Sequence, residues 1–183
     1  MIVLASASPR RKELLRLLVP EFVVDVPDVD ETRLPGEPVE ELAERLARLK
    51  ARTVAERRPA DVVVAADTVV HLDGEELGKP RDPEEHRQFL RRLSGRSHTV
   101  STGVAIAGRD GLRSFVDRTI VDFRPLDEDE IARYVAEGDG GDKAGGYAIQ
   151  GGAIGFARNL HGSLATVVGF PVHLLGCLRA ESQ

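Results

Sequence analysis

Across residues 38–58 the apolar side chains Val39, Leu42, Ala43, Leu46, Leu49 and Val54 recur at helical spacing. At about 100° per residue they share one face, so the spacing predicts a long amphipathic helix. Its charges, Glu40, Glu41, Glu44, Arg45, Arg48 and Arg52, project to the other side. Lys50 breaks the order, falling within roughly 30° of the centre of the apolar face by the same count. A charge there calls for an anion, although a long stem carrying its ammonium past apolar surface to water accounts for a single lysine equally well.

The rest of the chain alternates strand and helix patterns. Residues 2–5 form a short apolar strand leading into Ser8-Pro9 and a helical run through Leu14, Leu15, Leu17 and Leu18. Residues 22–26 are strand-like, and the acidic stretch 27–36 is a loop. Residues 61–70 hold the continuous run Val62-Val63-Val64-Ala65-Ala66, the pattern of a strand buried on both faces. After a turn at Asp73-Gly74 and the loop Gly78-Lys79-Pro80, Pro83 opens a helix that ends near Ser94-Gly95. Strand patterns over 98–107 and 112–123 flank a hairpin loop at 108–111. Asp127 with Glu130 is a capping-box pair for a helix that stops at Gly138. Residues 138–155 are rich in glycine, a strand-like segment follows, and a last helix begins near Pro171. The pattern predicts one α/β domain over 1–183, a mixed twisted sheet flanked by helices.

Composition narrows the function classes. The 183 residues are 42% hydrophobic and 30% charged, an ordinary globular balance for one domain. A formal net charge of −5 argues against nucleic-acid binding, so any grip on a polyanion must be local. Cys177, the lone cysteine, excludes an internal disulfide and is expected as a buried thiol. Residues 2–5 are too short for a signal-peptide core and no run approaches membrane-spanning length, so the expected location is the cytoplasm, with no membrane partner.

Several places suit phosphate or metal. Ser8-Pro9-Arg10-Arg11 places an N-cap serine, a proline and two guanidinium forks at a helix start, where backbone amides attract anions. A capped surface helix with two solvated arginines fits the same residues, and the glycines of a phosphate loop are missing. Asp67-Thr68 closes the valine strand, and a carboxylate emerging from an apolar run must meet a cation, a donor or a proton. It could anchor Mg²⁺ or deprotonate a water. Lys79 sits on a short loop and is equally well a surface turn residue. The segment Asp142-Lys143-Ala144-Gly145-Gly146-Tyr147-Ala148-Ile149-Gln150-Gly151 joins backbone freedom to a charged pair and to Gln150, whose amide both donates and accepts. The alternative is a solvent loop between strands. Glu31, near Asp28 and Asp30, could complete a Mg²⁺ site with a second carboxylate, although an acidic loop of this kind is more often merely solvated. His71, His86, His98, His161 and His173 show neither ligand spacing nor triad order, and no nucleophile emerges.

Taken in order, Ala5-Ser6-Ala7-Ser8-Pro9-Arg10-Arg11, Arg48-Leu49-Lys50-Ala51, Ala66-Asp67-Thr68-Val69-Val70, Gly78-Lys79-Pro80 and the 142–151 segment resemble the Maf family, as do Gly162-Ser163 and Val168-Gly169-Phe170-Pro171. The likeness spans essentially the whole chain. It departs at Ala66, Gly140-Gly141 and Phe170, none of them a charged site residue. The resemblance implies a fold related to the inosine triphosphatases, often dimeric, and a nucleoside triphosphate pyrophosphatase. The mechanism expected on that footing has Asp67 as general base, sharing a Mg²⁺ or Mn²⁺ ion with Glu31, with Arg10, Arg11, Lys50 and Lys79 on the phosphates and Ser8 among the substrate-binding residues. Arginine, threonine and glutamine at Arg10, Thr68 and Gln150 match the subgroup that cleaves dTTP and UTP. The sister subgroup acting on 7-methyl-GTP has an aromatic residue, glutamine and glutamate there. Two rivals follow from the same chain: a nucleotide-sensing division regulator without turnover, and a DNA-binding septation factor, which the acidic balance disfavours.

Overall fold

The computed structural model describes residues 1–176, so Cys177 and the end of the helix expected from Pro171 lie outside the described residues. In chain order the elements are β1 (Ile2–Leu4), α1 (Pro9–Arg16), β2 (Val23–Val24), α2 (Val39–Arg57), β3 (Val62–Leu72), β4 (Glu75–Glu76), α3 (Pro83–Leu93), β5 (Ser97–Gly108), β6 (Gly111–Phe123), α4 (Glu128–Glu137), β7 (Ala157–His161) and α5 (Leu164–Val168). The strand order is β2-β1-β3-β5-β6-β7, with β4 added to β3. β1 runs parallel to β2 and β3, whereas β4 on β3 and β7 on β6 are antiparallel, so the sheet is mixed as the pattern predicts. The chain divides into two compact units, one of residues 1–68, 102–117 and 169 onward, the other of 69–101 and 118–168.

In the first unit the pleat sorts side chains between two cores. Ile2, Leu4, Val64, Ala66, Val104 and Ile106 point to one face, where Leu15 and Val19 at the α1 end pack with Phe170 and Leu175. Val3, Ala5, Val63, Ala65, Ala105 and Ala107 point to the other, against Ala47, Ala51 and Val54 of α2. Alanines on both sides let α2 lie close to the sheet. Gly103 completes the fit, because a Cβ there would stand 2.3 Å from the Ala43 carbonyl oxygen. α1 begins as expected, with Ser8 as N-cap accepting from the Arg11 amide at 3.4 Å and Pro9 in the first turn. It ends at Arg16, short of the predicted run, and leaves Leu17 exposed.

The second unit is built on α3 packed against α4. Asp82 caps α3 through the Glu85 amide at 2.8 Å, and Asp127 with Glu130 forms the predicted capping box of α4. Gly138 ends α4 with φ 75°, a conformation that glycine adopts without strain. The core is aromatic: Phe123, Tyr134, Tyr147 and Phe156 meet edge to face, with His98 against Phe123 and Tyr147.

Three sequence expectations change. β3 continues to Leu72 because Val69, Val70 and Leu72 are buried, so Asp67 and Thr68 lie inside the strand rather than at its end. The strand expected over 22–26 contracts to the pair Val23–Val24. The residues after Pro171 form a 3-10 turn, Val172–Leu175. β4 and α5 went unpredicted, each too short to show a period.

Candidate functional site

Strand parity decides what Asp67 meets. It continues the series Val63, Ala65 that faces α2, and on α2 the apolar stripe Leu42, Ala43, Leu46, Ala47, Ala51, Val54 surrounds Lys50. Lys50 is 8% exposed and Asp67 7%. The Lys50 Nζ donates to Asp67 Oδ1 at 2.5 Å and pairs with Glu31 Oε1 at 2.9 Å. The stem therefore does not carry the ammonium out to water; it delivers it to two carboxylates, of which Glu31 is the exposed one. Burial pushes the Asp67 carboxyl above its ordinary value, the charges of Lys50 and Arg11 pull it back, and Glu31 adds to the rise. The result is a carboxylate short of solvation, hence more basic, with cations close by.

Thr68, one residue on, points to the α1 face and meets Arg11. The Arg11 guanidinium is held on three sides: Nε donates to the Gly169 carbonyl at 2.9 Å, Nη1 to Ser6 Oγ at 3.4 Å, and Nη2 to Thr68 Oγ1 at 3.1 Å. Burial lowers its pKa from the usual guanidinium value; Asp67 opposes that and neighbouring Arg10 adds to it. Thr68 Oγ1 also lies 2.9 Å from Thr102 Oγ1, so its hydroxyl is engaged by protein on two sides. Gly169, with φ 104°, could not carry a side chain, since a Cβ would stand 2.8 Å from Thr68 Oγ1. Arg10 is half-exposed on the first turn of α1. The structure thus sets Asp67 with Lys50 and Glu31 on the α2 side, and Arg11 with Thr68 on the α1 side, Arg11 being near enough for its charge to act on the Asp67 carboxyl, with Ser8 capping the helix that carries Arg11.

Lys79 and Gln150 belong to the second unit, both exposed. Their segments are joined there: the Gly145 amide donates to the Leu77 carbonyl at 2.7 Å and to the Gly78 carbonyl at 3.1 Å. The glycine-rich stretch is no solvent loop, because Gly145 to Ile149 are all buried. His86 Nε2 lies 2.5 Å from the Gly146 carbonyl, Tyr134 Oη accepts the Ala148 amide at 2.9 Å, and His98 Nε2 lies 2.8 Å from Tyr147 Oη. Gly145 and Gly146 have φ 74° and 71°, which that close docking requires.

The family described as Maf-like protein matches residues 1–180. The chain belongs to the Maf family. Maf relatives named dTTP/UTP pyrophosphatase include those of Symbiobacterium thermophilum, 48% identical over 94% of this chain and 89% of that one, and Myxococcus xanthus, 51% identical over 94% and 87%. A third, from Thermus thermophilus, is 50% identical over 93% and 89%. Among solved structures the Ham1 protein of Staphylococcus aureus matches with TM-score 0.50 and 20% identity, covering 67% of this chain and 71% of that one, a likeness of fold.

Of the Maf motifs, those at Ser8-Pro9-Arg10-Arg11, Lys50 and Asp67-Thr68 fall in the first unit, and those at Lys79 and 142–151 in the second. Sequence reasoning passed over Thr102, which reads as an ordinary strand residue, and gave no part to Ser6 or the Gly169 carbonyl. A glycine before Phe170-Pro171 was the one visible signal.

Proposed function

We propose that this Maf protein hydrolyses dTTP and UTP to the nucleoside monophosphate and pyrophosphate. The observation that carries the reading is the buried Lys50–Asp67 pair with Glu31 and Arg11 beside it, in a chain whose relatives at 48–51% identity bear that activity in their names. Asp67 takes the proton of a water whose oxygen attacks the α-phosphorus. The bond to the α–β bridging oxygen breaks, and its electrons leave with pyrophosphate. Raised basicity helps Asp67 as acceptor. Lys50 and Arg11 stabilise charge on the phosphates from fixed positions, an effect that grows as water is excluded.

Asp67 and Glu31 fit a divalent cation: both contact Lys50 Nζ, at 2.5 and 2.9 Å, so the two carboxylates lie near each other beside the ammonium, and two carboxylates with substrate phosphates are a usual Mg²⁺ set. Among the described residues no group of three or more His, Cys, Asp or Glu is arranged to hold an ion, so phosphate oxygens and water would fill the remaining positions. When bound, Mg²⁺ or Mn²⁺ supplies charge neutralisation on the phosphates. Ser8 caps the helix that carries Arg10 and Arg11, and the phosphate-binding parts of Arg10 and Lys79 and the part of Gln150 rest on their motifs. A base preference for a 4-oxo pyrimidine rests on the trio Arg10, Thr68 and Gln150. Among the described residues no helix is long and apolar enough to cross a membrane, and a cytoplasmic site of action is part of the proposal.

A product assay across nucleotides tests it. Pyrophosphate release with Mg²⁺ is expected to be fastest from dTTP and UTP, slower from CTP, GTP and 7-methyl-GTP, and absent after chelation. Preference for 7-methyl-GTP overturns the substrate, and full activity in chelator overturns the metal.

A further inference from the structure

We infer that Thr102 is a positioning residue, holding the Thr68 hydroxyl so that it and its partners fix Arg11 in one orientation for phosphate. The inference rests on the pyrophosphatase reading and adds a residue to it. Thr102 is fully buried on β5, the neighbour of β3, and shares the parity of Val104 and Ile106 that face α1. Its Oγ1 stands 2.9 Å from Thr68 Oγ1, which in turn accepts Arg11 Nη2 at 3.1 Å. A threonine hydroxyl rotates freely unless its neighbours fix it. Thr102 supplies the second contact that stops Thr68 from turning away from the guanidinium.

A guanidinium carries five N–H donors. Gly169 O, Ser6 Oγ and Thr68 Oγ1 each take one, so among the described residues one N–H is left on each terminal nitrogen. Two donors on adjacent nitrogens are what a phosphate binds as a fork. All three anchors are neutral oxygens, which orient the guanidinium without cancelling its charge. Loosening one lets the fork tilt, and a tilted fork loses the second hydrogen bond first. The Thr102 hydroxyl thus acts on substrate through Thr68 and Arg11.

Thr102→Val keeps the shape and removes the hydroxyl. It is expected to lower kcat/KM for dTTP roughly tenfold, mainly in kcat, the size of one oriented hydrogen bond to a charged group. Thr102→Ser restores most of that loss. In an Arg11→Lys background, where no fork remains to be aimed, Thr102→Val causes no further loss, so the two changes are strongly non-additive. Wild-type kinetics for Thr102→Val, or the same tenfold loss in the Arg11→Lys background, overturns the inference. Failure of Thr102→Val and Thr102→Ala to fold while Thr102→Ser folds makes the hydroxyl a folding requirement and overturns it too. The pyrophosphatase reading fails separately, and only if the wild-type enzyme releases no pyrophosphate from dTTP or UTP.

Discussion

At Lys50 a four-carbon stem runs through the apolar stripe of α2 and ends between two carboxylates. Removing the charge and keeping the bulk isolates its effect. Lys50→Met leaves Asp67 buried without its nearest cation, and breaking a buried pair costs roughly 3 kcal/mol where the orphan stays charged. In that variant the folded-state pKa of Asp67 rises further above its unfolded value, so the fold binds the proton more tightly. Stability is then retained at low pH and lost as pH rises through the raised pKa. Urea midpoints at pH 5 and pH 8 should therefore differ more for Lys50→Met than for the wild type; equal differences contradict the pairing. Lys50 was visible in the sequence because a lone charge interrupts a periodic apolar face. Thr102 was not, since a threonine in a strand needs no explanation beyond β propensity.

At the scale of elements, what brings the site together is how closely α2 lies on the strands. Alanines 47 and 51 meet alanines 65 and 105, and Gly103 leaves room for the Ala43 backbone. Gly103→Ala forces the helix outward, since the new Cβ would stand 2.3 Å from an oxygen that belongs to rigid backbone. Overpacking of this kind costs about 1–3 kcal/mol. Because α2 carries Lys50, turnover should fall together with the melting temperature, and a fully active, equally stable Gly103→Ala variant refutes the arrangement. α2, α3, α4 and the β5–β6 hairpin were all legible, from helical period, from Pro at the first turn, from a capping box and from a glycine-flanked loop. The interior place of Asp67-Thr68 in β3 was not, because a polar pair after a valine run looks like a strand end until Val69, Val70 and Leu72 are known to be buried.

For the molecule as a whole, the family resemblance foresaw the α/β class and the motif order; which partners each motif takes required coordinates. The three buried histidines, His71, His86 and His98, show the limit. They have no ligand spacing, yet His86 and His98 brace the glycine-rich segment of the second unit. His98 is 3% exposed, its Nδ1 has no hydrogen-bond partner among the described residues, and burial lowers its pKa to about 4, with Asp122 opposing and His71 adding to the shift. Its depressed pKa means the unfolded chain takes up the proton first as pH falls. The associated stability is whole above pH 6.5 and lost on the way down to about pH 4, on the order of 3 kcal/mol. His98→Gln should flatten the stability profile in that window, and an unchanged slope contradicts the assignment.

The central claim is that a buried, cation-flanked carboxylate performs the chemistry. Pyrophosphate release from dTTP by Asp67→Asn, measured with Mg²⁺ on protein whose circular dichroism matches the wild type, tests it most directly. Loss of turnover by about 10²–10⁴ is expected when a general base is removed with its shape kept. Near-normal turnover by Asp67→Asn would contradict the claim.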